Sequence, residues 1–198
     1  MVNQIKNPKP QAGMKSPFPG GPGLATPQER RKRRSAISEY KKSLLQKQEL
    51  KHLYGLTEKQ FKKYVMQSLK RMQKVENVSE ELIRKLEKRL DNVIFRIGFA
   101  KTRAQARQLV NHAYFLINGK PVNIPSFQFE KGDIVSIKES KKKKLIFKDL
   151  ADAIKKAEPH KWLELDKKNY SAKAVNEPSL AEVNPPVEIS LIFEFYSR

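Results

Sequence analysis

The sequence predicts an α+β protein: a mostly helical domain, with a docked carboxyl-terminal strand, carries an inserted small module of two helices and a curled antiparallel sheet. Two observations predict this class. Helix-start signals precede apolar stripes of helical period in the first half of the chain, and an Asn118-Gly119 turn between short strand-like segments follows them. The predicted parts are an extended arm over 1–37, the helical domain over 38–87 and 146–198, and the module over 88–145.

The arm is rich in residues that oppose folding. Residues 1–28 hold six of the twelve prolines and four of the eight glycines, so they bury too little apolar surface to offset the entropy of ordering. We expect this segment to be extended or disordered in the free protein. Five cations follow, at Arg30, Arg31, Lys32, Arg33 and Arg34. Such a block is either a solvated tail or a nucleic-acid arm, and the basic character of the chain favours the arm.

Two helices are predicted next. The pattern from Tyr40 to Tyr54 is helical and highly charged, and Gly55 is a candidate C-cap. Thr57 and Gln60 have the spacing of a capping box, and the apolar residues after them fall on one stripe. We therefore expect the second helix to pack against the rest of the domain.

A third helix is expected to run without a break from Asn77 or Ser79 to about Gly98. Its buried seam is predicted from apolar spacings of three and four residues, at Ile83, Leu86, Leu90, Val93 and Ile97. Basic residues lie on the opposite side, and Arg84 and Lys85 fit a solvated face as well as a nucleic-acid contact.

The module continues with a helix and a small sheet. Thr102 and Gln105 form a second predicted capping box, and the inward stripe of that helix ends at Ala113. Strands are predicted at 114–117, 121–124 and 134–137, with Asn118-Gly119 as a type I′ turn.

The last part of the chain predicts one helix and one strand. A helix is expected over 146–157 and an irregular segment over 159–186. Apolar residues then alternate from Val187 to Phe195, which predicts a terminal strand docked against another element. The preceding run, Lys141 to Lys144, is either a solvated connector or a nucleic-acid contact, and Trp162 is expected to be a packing anchor.

The charge pattern indicates a polyanionic partner. The net charge is +20, and residues 29–74 alone hold 15 basic and 4 acidic side chains. Residues 92–129 contain no Asp or Glu, and Arg103 and Arg107 share the outward face of their predicted helix. We expect the guanidinium groups of this stretch to have no internal partners, and the surface that carries them to face phosphates.

Several function classes are excluded or disfavoured. The chain has no cysteine and its three histidines are far apart, so neither a metal nor another cofactor is expected. No apolar run approaches the roughly 18 residues that cross a membrane, so no membrane partner is expected. We expect a cytoplasmic protein, because the proline-broken amino terminus does not fit an organellar presequence.

Residues 89–100, with Thr102-Arg103, Ala106 to Val110 and Val122 to Ser126, closely resemble the RNA-binding module of the family of small-subunit ribosomal protein four. Flanking signatures resemble bacterial-type members too, including Trp162-Leu163 and the closing Glu194 to Arg198. Many relatives have a longer amino-terminal arm, which often carries a four-cysteine zinc knuckle. That knuckle is missing here, so zinc binding does not carry over.

The resemblance implies a primary binder of small-subunit ribosomal RNA at a junction in the 5′ domain. It implies a role in nucleating assembly and in translational accuracy, beside ribosomal protein five and near the messenger RNA entry channel, which Arg33 and Arg34 would face. The RNA-binding residues expected from charge and resemblance together are Arg30, Arg31, Lys32, Arg33, Arg34, Lys47, Lys51, Tyr54, Lys85, Lys88, Arg96, Lys101, Arg103, Arg107, Gln108, His112, Asn118 and Lys120. His112 also fits a helix-dipole partner, and Tyr54 also fits a core residue.

Two rival functions share the module. Arg89-Leu90-Asp91 matches the catalytic tripeptide of pseudouridine synthases. We expect no enzyme, because Asp91 falls on the surface of a predicted helix and the chain is too short for a separate catalytic domain. A stand-alone RNA chaperone is the other rival, which the helical region around Gly55 and the terminal signature disfavour.

Overall fold

The computed structural model describes residues 38–142, 147 and 159–197. These residues form helices at both ends of the described chain and a five-stranded antiparallel sheet between them. The helices are α1 Glu39–Leu53, α2 Glu58–Leu69, α3 Val78–Glu87, α4 Leu90–Arg96, α5 Arg103–Asn111, α6 Glu139–Lys142, α7 Leu180–Val183 and α8 Ile189–Ser197. The strands are β1 Phe115–Ile117, β2 Lys120–Pro121, β3 Ile134–Ile137, β4 Leu163–Asp166 and β5 Ser171–Ala174.

The first two helices lie close to their predicted positions. Tyr54 is the C-cap of α1, and Gly55 then takes a φ of 59°, a left-handed conformation that glycine adopts without strain. At the start of α2 the Thr57 side chain accepts from the Gln60 backbone N–H, and the Gln60 side chain accepts from the Thr57 backbone N–H. The predicted capping box is therefore confirmed.

The predicted continuous third helix is wrong, because the chain leaves the helical conformation between α3 and α4. Arg89 is extended, with φ −63° and ψ 133°, and forms an antiparallel bridge with Gln128. Leu90 N–H donates to the Phe127 carbonyl at 2.9 Å, and Phe129 N–H donates to the Lys88 carbonyl at 2.7 Å. Pairing with a segment about 40 residues downstream thus replaces the helical hydrogen bonds that an unbroken helix would have made.

The start of the module keeps most of its predicted structure. Thr102 caps α5 by accepting from the Gln105 N–H, but the Gln105 side chain accepts from Lys101 rather than Thr102, so the second capping box is not closed. α5 ends before Ala113, whose φ is 51°. Asn118 and Gly119 have φ of 49° and 78°, which fits the type I′ turn that joins β1 to β2.

The sheet is larger than predicted. Its strand order is β2-β1-β3-β5-β4, and β4 and β5 come from the segment 159–186 that we expected to be irregular. β3 pairs with β5 through Val135 and Ala172, which are both buried. Residues 163–174, which were assigned to the helical domain, therefore belong to the same sheet as the module. Trp162 is buried beside them, as predicted.

The predicted terminal strand is wrong, because residues 189–197 form helix α8. Ile189 and Ile192 are buried, and Phe193 and Tyr196 pack against the same cluster as α1 and α2. These positions are three and four residues apart, so the helical stripe and the alternating pattern are present in the same sequence. The expectation that this segment is docked is confirmed, and only its conformation differs.

Two apolar clusters organise the described residues. One contains Leu50, Phe61, Leu86 and Ile192 from the helices α1, α2, α3 and α8. The other contains Leu90, Phe115, Val135 and Trp162, among others, from α4, α5 and the sheet. The seam predicted for the third helix is buried throughout, but its first two residues belong to one cluster and its last three to the other.

Three predicted features lie outside the described residues: the arm over 1–37, the helix over 146–157 apart from Phe147, and the lysines at 143 and 144. Lys141 and Lys142 end the short helix α6, and the Lys141 ammonium lies 4.9 Å from the centre of the Tyr114 ring.

Candidate nucleic-acid interface

A buried carboxylate, Glu87 at the end of α3, organises the polar groups between the two clusters. Arg96 donates to both of its oxygens, from Nε at 3.0 Å and from Nη2 at 2.7 Å. The Tyr54 hydroxyl donates at 2.6 Å and the Asn92 amide at 2.7 Å. Burial raises the pKa of Glu87, but Arg96 and the other donors outweigh it and hold that pKa below its ordinary value. The group is therefore an ionised, fully bonded anion.

Asp91 at the start of α4 is likewise the ion-pair partner of two further arginines. Arg89 donates to it from Nε and Nη2, at 3.0 and 2.7 Å, and also donates to the Tyr64 hydroxyl at 2.7 Å. Arg107 donates to Asp91 from Nε at 3.0 Å and to the Gly55 carbonyl at 2.6 Å. Both Arg89 and Asp91 are buried. The prediction that Asp91 is a helix-surface residue is therefore wrong.

Arg103 has no ion pair with Glu87 or Asp91. Its Nε donates to the Asn92 side chain at 2.8 Å, and its guanidinium carbon lies 4.4 Å from the Phe95 ring centre and 5.1 Å from that of Tyr54. Burial and the neighbouring Arg96 lower the pKa of Arg103. The expectation that the guanidinium groups of residues 92–129 lack internal partners is thus wrong for all three of Arg96, Arg103 and Arg107.

Four predicted lysines also have carboxylate partners. Lys47 is buried, with its Nζ 2.8 Å from Glu58, and Lys51 lies 3.5 Å from the same residue. The other two pairs join Lys85 to Glu81 at 3.2 Å and Lys88 to Glu177 at 2.7 Å. These four ammonium groups are anchored in ion pairs, and RNA contact by them stays a prediction.

The remaining predicted residues are on the surface or outside the described chain. Lys101, Gln108, His112 and Lys120 are exposed, and Gln108 and His112 lie one turn apart along α5 and its cap. The Asn118 side chain donates to Asp133 and accepts from the Ile134 N–H, so it stabilises its own turn. The block 30–34 is outside the described residues.

The structure contains a set of exposed cations that the predicted RNA-binding residues did not include. Lys59, Lys62, Lys63 and Lys70 are exposed along and just beyond α2, and within the described part of the chain no carboxylate pairs with any of them. Lys59, Lys63 and Lys70 are four and seven residues apart, so they share a face. A sequence signal existed, because residues 59–75 hold six basic residues and no acidic one.

A polar cleft of about 410 Å³ lies beside this lysine face. Glutamine, tyrosine and serine side chains provide most of its wall, and none of the described residues that line it is acidic. The lining residues are Gln60, Lys63, Tyr64, Gln67, Lys85, Arg89, Ser126 and Gln128. The surface formed by α2 and this cleft is hereafter the α2 face.

The described residues offer neither a metal site nor a membrane-spanning helix. No cluster of three His, Asp or Glu side chains in that part of the chain could hold a metal ion. Among the helices that the structure describes, none is both long and apolar enough to cross a membrane.

Comparison with known proteins gives two adjoining matches. Residues 6–87 match the family described as Ribosomal protein S4/S9 N-terminal domain, and residues 88–135 match the S4 domain. A relative from Aquifex aeolicus is 45% identical over 169 residues, which covers 84% of this chain and 79% of the relative. Relatives from a Sulfurihydrogenibium species and from Thermotoga maritima are each 44% identical, over 165 and 167 residues that cover 83% and 84% of this chain and 79% and 78% of the relatives. All three are named small ribosomal subunit protein uS4.

Proposed function

The chain belongs to the uS4 family of small ribosomal subunit proteins, and from that premise we propose that it is a primary binder of small-subunit ribosomal RNA. Membership gives the coarser statement directly: the protein is an RNA-binding structural component of the small ribosomal subunit and not an enzyme. The finer proposal is that it binds a junction in the 5′ domain early and nucleates assembly of the subunit.

The observation that carries this proposal is the unpaired set of lysines on α2. An exposed ammonium group without a neighbouring carboxylate can exchange its small counterions for RNA phosphates, and the release of those ions favours binding. Lys59, Lys62 and Lys70 meet this condition within the described residues, whereas Arg96 and Arg107 are already paired. The α2 face is therefore our first choice for phosphate contact.

A rigid support suits a protein that binds RNA before other proteins do. The Glu87 and Asp91 networks join residues of α2, α3, α4 and α5 and the C-cap of α1, so the α2 face and the module are fixed relative to each other before RNA arrives. Preorganisation of this kind lowers the entropy lost on binding. The same rigidity is also compatible with direct RNA contact by the outer edges of Arg103 and Arg107, which stays part of the proposal.

The remaining partners are proposed from the family resemblance. We propose that the protein lies beside ribosomal protein five and near the messenger entry channel, with Arg33 and Arg34 facing the messenger, and infer a contribution to translational accuracy. We also propose that the subunit concerned is cytoplasmic. Cross-linking from position 33 in intact subunits tests the messenger assignment, because adducts with ribosomal RNA alone would contradict it.

The main experiment measures how the affinity for a small-subunit ribosomal RNA transcript depends on salt. If roughly 6 to 10 phosphates are contacted, affinity falls about a thousandfold or more between ~50 and ~200 mM salt. The variant Lys59→Gln/Lys62→Gln/Lys70→Gln should lower the slope of log K against log salt by about 2 to 3. Salt-independent binding of the wild-type protein would contradict the proposal.

A matched control removes the same charge elsewhere. Lys161, Lys168 and Lys173 are exposed on or near β4 and β5, and Lys161→Gln/Lys168→Gln/Lys173→Gln should keep the wild-type slope. An equal reduction in both variants would show that net charge alone, and not the α2 face, determines the binding. A stand-alone RNA chaperone is tested separately, because only a ribosomal component sediments stoichiometrically with small subunits.

A further inference from the structure

The cleft of the α2 face has the size of a small-ligand site. Its volume of about 410 Å³ is within the range of roughly 300 to 1,000 Å³ that is typical of such sites. One part of its lining is α2, which contributes Gln60, Tyr64 and Gln67, and another is the segment that contains Ser126 and Gln128. That segment is fixed by its bridge to Arg89, so the two parts of the lining have a defined separation.

The charges in the cleft do not favour a phosphate. Arg89 is neutralised by Asp91, and Lys85 lies 3.2 Å from Glu81. Lys63 is then the one lining cation without a carboxylate partner among the described residues. The exposed α2 lysines outside the cleft can bind phosphates more favourably. The cleft itself therefore suits a neutral polar group that is attached to a polyanion.

The polar groups of the cleft match the edge of a nucleobase. A glutamine amide has both donors and acceptors and can pair with a base edge in a bidentate manner. Gln67 is exposed and makes no hydrogen bond within the described chain, and Gln128 uses only its amide nitrogen, on the Ser126 carbonyl at 3.3 Å. Tyr64 and Arg89 line the same space, and proteins use tyrosine rings and arginine planes to stack unpaired RNA bases.

A neighbouring cleft offers a contrast. It shares Lys85 and Gln128 with the first, but Glu81, Glu130 and Glu177 also line it. Three carboxylates would repel the phosphates that flank any bound base. Of these two clefts, the first therefore combines free amides with described lining residues that carry no acid.

We propose that this cleft receives one unpaired nucleotide of the bound RNA, with the base edge on the amides of Gln67 and Gln128 and the flanking phosphates on the α2 lysines. The inference rests on the proposed function, because it assigns a nucleotide-specific contact to the same RNA-binding face. It predicts base readout in addition to recognition of the backbone.

The test compares full-length wild-type protein with Gln67→Ala/Gln128→Ala on a small-subunit ribosomal RNA transcript. Reagents that modify the Watson–Crick edge of unpaired bases should find a base that the wild-type protein protects and the variant leaves reactive. Loss of two hydrogen bonds should raise the Kd about tenfold, with the salt slope unchanged. Gln67→Ala alone changes an exposed side chain and should give a smaller effect in the same direction.

The control is Gln73→Ala, an exposed glutamine beyond the end of α2 and outside the cleft, which should keep both the protection and the Kd. Wild-type Kd and unchanged base protection in the double variant would overturn the inference and leave the proposed function intact. Absence of RNA binding by the wild-type protein would overturn both. A lower salt slope in the double variant would instead assign the cleft to phosphate and also overturn the inference.

Discussion

Residues 59–75 and residues 92–129 both lack Asp and Glu, but most of their cations have opposite environments. In the second stretch, Arg96 and Arg107 are paired with Glu87 and Asp91, which lie just before its first residue. In the first, all five lysines are exposed without a carboxylate partner in the described chain, and Arg71 is paired with Glu81. Ion pairs depend on distances of a few ångströms in space, so an acid-free sequence window predicts a free cationic surface only when no carboxylate reaches it from outside.

The difference also follows the chemistry of the two cations. Arginine has a planar group with several donors, which can bond a carboxylate and backbone carbonyls together, as Arg107 does with Asp91 and Gly55. Lysine has a compact, strongly hydrated charge that remains in solvent at low cost. We infer that the arginines mainly stabilise the scaffold and that the α2 lysines mainly contact RNA.

Substitution of Glu87 is expected to have the largest effect on stability. Glu87→Ala leaves Arg96 without its anion and removes the acceptor for Tyr54 and Asn92 in a buried site. We expect the free energy of unfolding to fall by about 3 to 5 kcal/mol, measured by urea denaturation. Glu49→Ala, at an exposed position on α1, is the control and should change stability by less than about 0.5 kcal/mol. If both variants lost little stability and by equal amounts, the pairing of Arg96 with Glu87 would not distinguish the second stretch from the first.

The dependence of the free energy of unfolding on pH, at acidic pH, gives a second test. Since the pKa of Glu87 in the folded protein lies below the ordinary 4.5, its contribution to stability is present above about pH 4.5 and is lost as pH falls through the lower folded value. Glu87→Gln lacks this titration, so its stability should decline less steeply than that of the wild type below pH 4.5. Parallel profiles from pH 6 to pH 3 would contradict the assignment of an ionised Glu87.

Arg107→Ala should have an intermediate effect on stability. The variant removes a hydrogen bond and an ion pair with Asp91 and the bonds to the carbonyls of Gly55 and Tyr54, but Asp91 keeps Arg89. We expect a loss of about 2 kcal/mol in the free energy of unfolding, measured by urea denaturation. If stability were unchanged while the RNA salt slope fell by about 1, Arg107 would be a phosphate contact and the contrast between the stretches would fail there.

Local signals predicted the parts of the fold that local interactions determine. The capping box at Thr57, the turn at Asn118 and Gly119, and strand β3 all lie where the sequence placed them. The break at Arg89 was missed because the apolar spacing from Leu86 to Leu90 is helical on both sides of it, and only the distant partner Gln128 ends α3.

The conformation of the last segment and the partners of the arginines were missed for the same reason. Residues 187–195 alternate as in a strand, yet Ile189, Ile192 and Tyr196 also form a helical stripe, and packing against α1 and α2 selects the helix. In the site, cationic residue types were predicted correctly, but their pairing with Glu87 and Asp91 depends on the tertiary fold. Nothing local distinguishes a paired arginine from a free one.

The smallest expected change in stability is at the α2 lysines, and it completes the comparison. Lys59, Lys62 and Lys70 are exposed and make no ion pair in the described chain, so Lys59→Gln/Lys62→Gln/Lys70→Gln should change the free energy of unfolding by less than about 0.5 kcal/mol. The same variant should lose RNA affinity most strongly at low salt, where counterion release contributes most. The triple variant should therefore lose mainly RNA affinity, and Arg107→Ala should lose mainly stability. A triple variant that lost several kcal/mol of stability would show that these lysines support the fold, and their unpaired charge would then need a different explanation from RNA binding.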